Sequence, residues 1–407
     1  MMVLLTIGGK VSLFLKLKNY IFNLSKNSGR IIFLFNLKLK IMGKMIAFII
    51  VAGFLCKPLV YAQDPVKLTE DEQRFKDSIA SLNLDFEMVQ KSKEAYNQGT
   101  NQFEAKSYKE AIASFNKSIQ LFPRFLNAYF NRGVTYLQLK DYKNGIRDFS
   151  TVIDSNKAKA GAYFKRAECY AGLEEFDKAI ADYRSLVKLQ PENAKAFYNM
   201  GDMYFMKKEY KSAIIEFTKA IKIDKDFAYS YNDRGSSYRL LARYNEAIMD
   251  YQKAASIRPE LAFIYNNLGS TKKRMKDYTG AMAAFTKAIE VKADFYMAYN
   301  NRGGMYFEQG KYEDAIKDFN QALKINNKYA LAYNNRGNVK HKQEKYKEAI
   351  ADYTKAIEND RNYANAYVNR GTSKEMARDL DGACEDWTKA RKLGSELAKK
   401  YHMNNCN

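Results

Sequence analysis

The sequence predicts an all-α solenoid of nine helix-turn-helix repeats, and three observations carry that reading. The pentapeptide Tyr-Asn-Asn-Arg-Gly stands at 299–303 and again at 333–337, with near-copies starting at Tyr129, Tyr231, Tyr265 and Tyr367, all separated by multiples of 34 residues. In a frame that begins at Ser92, nine blocks (starting at 92, 126, 160, 194, 228, 262, 296, 330 and 364) run without insertion or deletion. Within them position 8 is always Gly or Ala, position 20 is Ala or Gly, and position 24 is aromatic from Phe115 to Trp387. A chain of 407 residues would otherwise suggest two or three ordinary domains; fixed self-similarity replaces that prior with an array.

Residues 1–62 stand apart from the rest. They contain nine basic residues and no Asp or Glu, so much of the formal charge of +21 lies outside the repeats; the remainder holds 58 basic and 46 acidic residues. Residues 42–62 read as a secretory signal peptide: Lys44 is basic, Met45 to Cys56 is an apolar run of twelve, and Val60 and Ala62 are small residues suited to cleavage before Gln63. The run is short for a transmembrane helix, and an uncleaved anchor is the alternative. Residues 1–41 carry no turn signals or sustained period and read as a mis-called upstream extension, with Met42 or Met45 as the true start. The expected location is periplasmic or secreted; the alternative is membrane anchorage by the uncleaved segment.

Residues 63–91 read as a linker with an N-terminal capping helix. Thr69-Glu70-Asp71-Glu72 has the capping-box spacing, and a helix from about 70 to 90 would shield the first repeat. The repeats occupy 92–397. Positions 4, 8 and 11 share one face of a first helix, and positions 20, 24 and 27 share one face of a second. Small residues at 8 and 20 let the two helices approach closely, while aromatic residues fill the space between hairpins. Breaks near positions 14–17, such as Gln309-Gly310-Lys311, supply the turn, and Pro123, Pro191 and Pro259 at position 32 would end the second helix. A short amphipathic helix with Leu397, Ala398 and Tyr401 on one side closes the array over 395–407.

These residues, nine times in frame, resemble the tetratricopeptide repeat family, over about three quarters of the chain. The resemblance implies a right-handed superhelix whose first helices line a concave inner face, stabilised by nearest-neighbour contacts and polar caps. Lys272, Lys340 and Lys374 replace the family's usual Tyr at position 11, and position 32 lacks Pro in six repeats. The segment from Gly382 to Cys406 is similar to the end of many exported bacterial repeat proteins, where two cysteines recur. That resemblance implies a Cys384–Cys406 disulfide; two free thiols are the alternative. Cys169 reads as a small buried hydrophobe.

The repeats also act as an alignment of the chain with itself. Position 7 is Arg in six blocks, and those same six carry Asp at position 23: Arg132 with Asp148, Arg166 with Asp182, Arg234 with Asp250, Arg302 with Asp318, Arg336 with Asp352 and Arg370 with Asp386. No Asp stands at position 23 without its Arg. Covarying pairs point to contact, so these are read as structural ion pairs within each hairpin, each contributing about 0.5–1 kcal/mol if exposed. A basic ladder awaiting an acidic ligand is the rival reading.

Position 6 is Asn in seven blocks, among them Asn131, Asn199, Asn267, Asn301, Asn335 and Asn369; position 5 is aromatic in the first four blocks and Asn in the next four, Asn232, Asn266, Asn300 and Asn334. In the family, position 6 faces the inner groove, where an Asn grips a peptide carboxylate or backbone. The resemblance therefore implies a peptide-binding groove made by these Asn together with Lys195, Arg239 and Lys273; the alternative is that the Asn belong to the repeat itself, as in consensus repeats with no known ligand. A carboxylate-ended or acidic partner would benefit. The reading requires Asn301 and Asn335 to face solvent free of intrachain partners. The five-residue clamp of chaperone-binding members appears nowhere in full.

Nothing in the sequence marks an enzyme. His341 and His402 have no Cys or carboxylate at metal-ligand spacing beyond what a charged surface gives by chance, and there is no phosphate-binding Gly loop or nucleophile elbow. No cofactor or metal is expected. Lys and Arg are interspersed with Asp and Glu, and together with the export signal this argues against nucleic acid. The expected function is a non-enzymatic protein–protein interaction scaffold that binds a peptide or protein segment in the concave groove. The alternative is a structural cell-envelope component that binds anionic polymers through its basic surface.

Overall fold

The computed structural model describes residues 70–406. The extension at 1–41, the signal segment at 42–62 and the start of the linker, with Thr69 of the capping box, lie outside the described residues. The chain divides into two units between residues 81 and 82. Of the first, residues 70–81 are described and are helical.

Every element among the described residues is a helix, nineteen in all. The helix expected over about 70 to 90 runs on from Glu70 to Glu104 and so includes the first helix of repeat 1. The reason is local: from Glu87 to Gln98 the sequence offers no Gly or Pro to stop it. Every described side chain from 70 to 87 is exposed. In each later repeat the first helix occupies positions 1–13, from Leu126–Gln138 to Ala364–Met376. The second occupies positions 17–30, from Tyr108–Leu121 to Tyr346–Asn359, and ends one residue earlier in repeat 9, at Lys392. These ends fall at the same position with or without Pro at 32, so the prolines follow the stop rather than cause it.

The turn between the helices has one conformation throughout. Position 15 is left-handed in all nine repeats: Lys106, Lys140, Glu174, Lys208, Ala242, Lys276, Glu344 and Arg378 have φ between 57° and 65°, and Gly310 has φ 73°. In repeat 2 the Lys140 amide donates to the Leu137 carbonyl at 3.0 Å and the Asp141 amide to the Tyr136 carbonyl at 2.8 Å, the paired bonds of a Schellman stop.

Within each hairpin the small residue at position 8 seats the aromatic ring at position 24. A Cβ on Gly303 would lie 2.9 Å from Phe319 Cε1, and one on Gly337 2.7 Å from Tyr353 Cε1. Both rings are fully buried. Each helix packs on the helices before and after it, and first helices of successive repeats also touch. The core is therefore a chain of local clusters rather than one centre.

Cys384 and Cys406 are joined in a disulfide with Cα atoms 5.7 Å apart. It ties the terminal helix Glu396–Asn405 to the last hairpin. Ala398 of that helix is fully buried, and Tyr401 packs on Trp387 with ring centroids 5.4 Å apart. Leu397, expected on the same side, is half exposed. Cys169 is buried and free, and burial pushes its thiol up to about 12.

Candidate functional site

Positions 2, 6, 9 and 13 of each first helix share one stripe, at spacings of three, four, seven and eleven residues, and position 5 borders it, its ring packing on position 24 of the same repeat's second helix in repeats 1 to 4. The asparagines of this face are engaged with one another. At six of the eight junctions position 6 pairs with position 5 of the repeat before, 35 residues away. Asn267 Nδ2 donates to Asn232 Oδ1 at 3.1 Å, Asn301 to Asn266 at 2.8 Å, Asn335 to Asn300 at 3.0 Å and Asn369 to Asn334 at 2.9 Å. Asn131 donates to Tyr96 Oη at 2.9 Å, and Tyr198 Oη donates to Asp233 Oδ2 at 2.7 Å. Where position 5 is Phe164, which cannot pair, Asn199 turns to Tyr183 Oη at 3.1 Å.

This corrects two expectations. Asn301 and Asn335 are not free of intrachain partners, and Asn232, Asn300 and Asn334 are buried rather than lining a groove; Asn266 is half-buried. Adjacent first helices bring these amides together at an interface with little water, where an unpaired amide costs about 1–3 kcal/mol. The change from aromatic to Asn at position 5 thus changes how each repeat bonds to the next.

Each of the six Arg–Asp pairs closes with two hydrogen bonds. In repeat 7, Arg302 Nε meets Asp318 Oδ2 at 2.8 Å and Nη2 meets Oδ1 at 2.9 Å; in repeat 2, Arg132 meets Asp148 at 2.8 and 2.6 Å. Arg166–Asp182, Arg234–Asp250, Arg336–Asp352 and Arg370–Asp386 have the same geometry. The aspartates are buried, so the pairs are not the exposed bridges that a small energy would describe. The guanidinium also lies over the Tyr at position 4, as Arg302 does over Tyr299 at 5.7 Å. Lys340 and Lys374 at position 11 reach Asp352 and Asp386 at 2.9 and 3.0 Å, adding a second cation where the family's Tyr is missing.

A third partner was not anticipated. Nη1 of each Arg reaches position 25 of the preceding repeat: Asn116, Ser150, Thr218, Thr286, Asn320 and Thr354, at 2.6 to 3.3 Å. Before the two later repeats that lack the Arg, position 25 is Arg184 or Gln252. The signal was present in the sequence but crosses a block boundary.

The predicted cations are spent unevenly. The Lys195 ammonium is 5.5 Å from the centre of the Phe164 ring, and Lys273 bridges Glu308 at 2.7 Å. Arg239 is half-buried, and its Nε has no partner among the described residues. Large apolar side chains remain exposed on this face: Met206 (55 %), Tyr229 (38 %) and Leu240 (46 %), with Leu331 and Met376 further along. Tyr229 and Phe263, both at position 2, stack with centroids 6.1 Å apart.

Between them lies a carboxylate pair that sequence reasoning passed over. Asp233 accepts from Tyr198 and, at 2.8 Å, from Asn232 Nδ2. Burial pushes its carboxyl above the ordinary range against those two bonds. Asp202 is raised by burial and then by the charge of Asp233. Among the described residues no Lys or Arg forms an ion pair with either, no group of three or more potential ligands is placed to hold a metal ion, and no helix is long and apolar enough to cross a membrane.

Comparison with known proteins follows the same frame. Models described as tetratricopeptide repeat match residues 96–158 and 164–233, 228–261 and 264–295, and 330–363, and a model described as TPR repeat matches 303–344. Together they span well over half of the chain. Among solved structures, the APC/C hetero-tetramer Cut9-Hcn1 aligns at a TM-score of 0.51 and 14% identity, covering 78% of this chain and 76% of that one. MamA aligns at 0.38 and 27% identity, covering 40% of this chain and 96% of its own. YrrB, described as a TPR protein with an unusual peptide-binding site, aligns at 0.38 and 23% identity, covering 45% of this chain and 95% of its own. A search of the curated proteins gives no match.

Proposed function

The chain belongs to the tetratricopeptide repeat family, and from that premise we propose that it is a non-enzymatic scaffold that binds a peptide or protein segment along the face of its first helices. One observation carries the proposal. The polar groups of that face are bonded from repeat to repeat, which fixes it, while Met206, Tyr229, Leu240, Leu331 and Met376 stay exposed on it. A rigid surface with projecting apolar side chains loses little entropy when it binds an extended segment, and such patches mark interaction sites. The asparagines support the face and the exposed side chains meet the ligand. The Cys384–Cys406 bond and the signal-like segment at 42–62 support a location in an oxidising compartment outside the cytoplasm.

The test is selection of a random dodecapeptide library on the purified chain, followed by hydrogen exchange on each complex. Slowed exchange along the first helices from Ala194–Met206 to Ala364–Met376 is the expected result. Protection confined to the second helices, or no retained peptide, overturns the proposal. Retention of anionic polymers instead, lost steeply with salt, would favour the envelope alternative through the basic surface.

A further inference from the structure

Two neighbouring first helices present parallel rows of the same kind. On Ala194–Met206 the row is Tyr198, Asp202, Met206, each four residues after the last; on Ala228–Leu240 it is Tyr229, Asp233, Leu240. A carboxylate stands at the centre of each row, an aromatic ring at one end and an exposed aliphatic side chain at the other.

The equivalent junction in repeats 8 and 9 shows what is missing here. There, position 5 is Asn334, position 9 is Asn338, and position 6 of the next repeat is Asn369. The Asn369 amide donates to Asn334 Oδ1 at 2.9 Å and to Asn338 Oδ1 at 3.1 Å, which closes the junction from within. In repeats 4 and 5 the same three positions hold Tyr198, Asp202 and Asp233. Position 6, the donor elsewhere, is now an acceptor, and Asp202 receives no side-chain hydrogen bond from the described residues. The lysines of the flanking segments are engaged elsewhere, Lys165 with Glu168 at 2.7 Å, Lys207 with Asp177 and Glu209 at 2.6 and 2.7 Å, and Lys195 over Phe164, while Arg239, on the helix of Asp233, is directed at the Tyr251 hydroxyl. The six buried aspartates at position 23, by contrast, each have an arginine.

We propose that the Asp202–Asp233 junction, rimmed by Met206, Tyr229 and Leu240, receives a Lys or Arg side chain of a partner segment whose neighbouring residues are apolar. The ammonium or guanidinium supplies the donor that the junction lacks, and its flanking side chains cover the exposed rim. This rests on the proposed binding face and names the chemistry of its ligand. It also reverses the acidic partner that the basic residues of the sequence suggested, because Lys195 and Lys273 are already spent.

The dodecapeptide selection decides it, run in parallel on the wild-type chain and on the Asp202→Asn/Asp233→Asn double variant. Both substitutions keep side-chain volume, and the amide oxygen introduced at position 233 still accepts from Tyr198, so melting of the variant is measured as the folding control. Peptides retained by the wild type are expected to carry one Lys or Arg with apolar neighbours on both sides. Their affinity is expected to fall about tenfold or more on the double variant, as loss of a charge-assisted bond implies, and also when the basic residue is replaced by norleucine. Single Asp202→Lys gives an independent check: it fills the junction with an internal cation and is expected to abolish retention of the same peptides. Peptides retained without a basic residue, or bound equally by the double variant, overturn this inference and leave the binding face standing. No peptide retained by either protein overturns both.

Discussion

The arginine at position 7 serves three partners at once, and its removal tests them together. Arg302→Ala would leave Asp318 buried with its charge uncompensated, and is expected to cost about 3–5 kcal/mol. The chain itself contains the repaired form: repeat 6 has Leu268 and Ala284 at the two positions. Arg302→Leu combined with Asp318→Ala is therefore expected to cost less than Arg302→Ala alone, by urea denaturation; a double variant worse than the single would show that the pair is not a closed unit. A second prediction concerns Asp233. Its folded carboxyl titrates above the ordinary range because it is buried. The folded protein thus holds the proton more tightly than the unfolded chain. The associated stability is present below the unfolded value and is lost as pH rises through the folded one. Asp233→Asn is expected to melt higher than wild type at pH 7, with the gap closing toward pH 4. At this scale the sequence was legible wherever both partners lie in one block, as at positions 7 and 23. It was misread where the partner sits in the adjacent block. An Asn at position 6 looks like a free amide until position 5 of the previous repeat is brought beside it, and position 25 looks like surface until the next repeat's Arg reaches it.

At the scale of the element, the turn is under more constraint than its residues announce. Gly310 marks the left-handed position, but the other eight repeats place Lys, Glu, Ala or Arg there. The two bonds of the Schellman stop override the local preference, and a non-glycine residue bears that cost. Ala242, φ 57°, has no polar side chain to offset it. Ala242→Gly is expected to stabilise the chain by about 0.5–1 kcal/mol, the left-handed cost recovered less the added freedom of Gly in the unfolded chain, read as a higher melting temperature. Unchanged or lower melting would mean the backbone there is not left-handed in solution. Helix existence and spacing were legible because Gly or Ala at 8 and an aromatic ring at 24 recur through every block. The fusion of the capping helix with repeat 1 was not, because a boundary drawn from the repeat frame has no physical stop behind it.

For the whole molecule, neighbour contacts carry the fold, so stability is a sum over hairpins and the junctions between them. Those junctions are not all alike. An Arg at position 7 is always preceded by a short hydroxyl or amide at position 25, and an Asn at position 6 in the later repeats by an Asn at position 5. The array consequently has rules about which unit can follow which. Excising repeat 7 (296–329) would set Thr286 before Arg336 and Asn266 before Asn335, joints of a kind the chain already uses. Excising repeat 4 (194–227) would set Arg184 against Arg234 and Phe164 against Asp233, two like charges and an acid stripped of its tyrosine donor. The two deletions shorten the chain equally, so the first is expected to melt several degrees above the second by calorimetry; equal melting would mean that junction chemistry is irrelevant. Repeats that look interchangeable in an alignment thus behave like sockets and plugs of differing pattern. A shortened or extended form of this protein has to be cut where the patterns still mate.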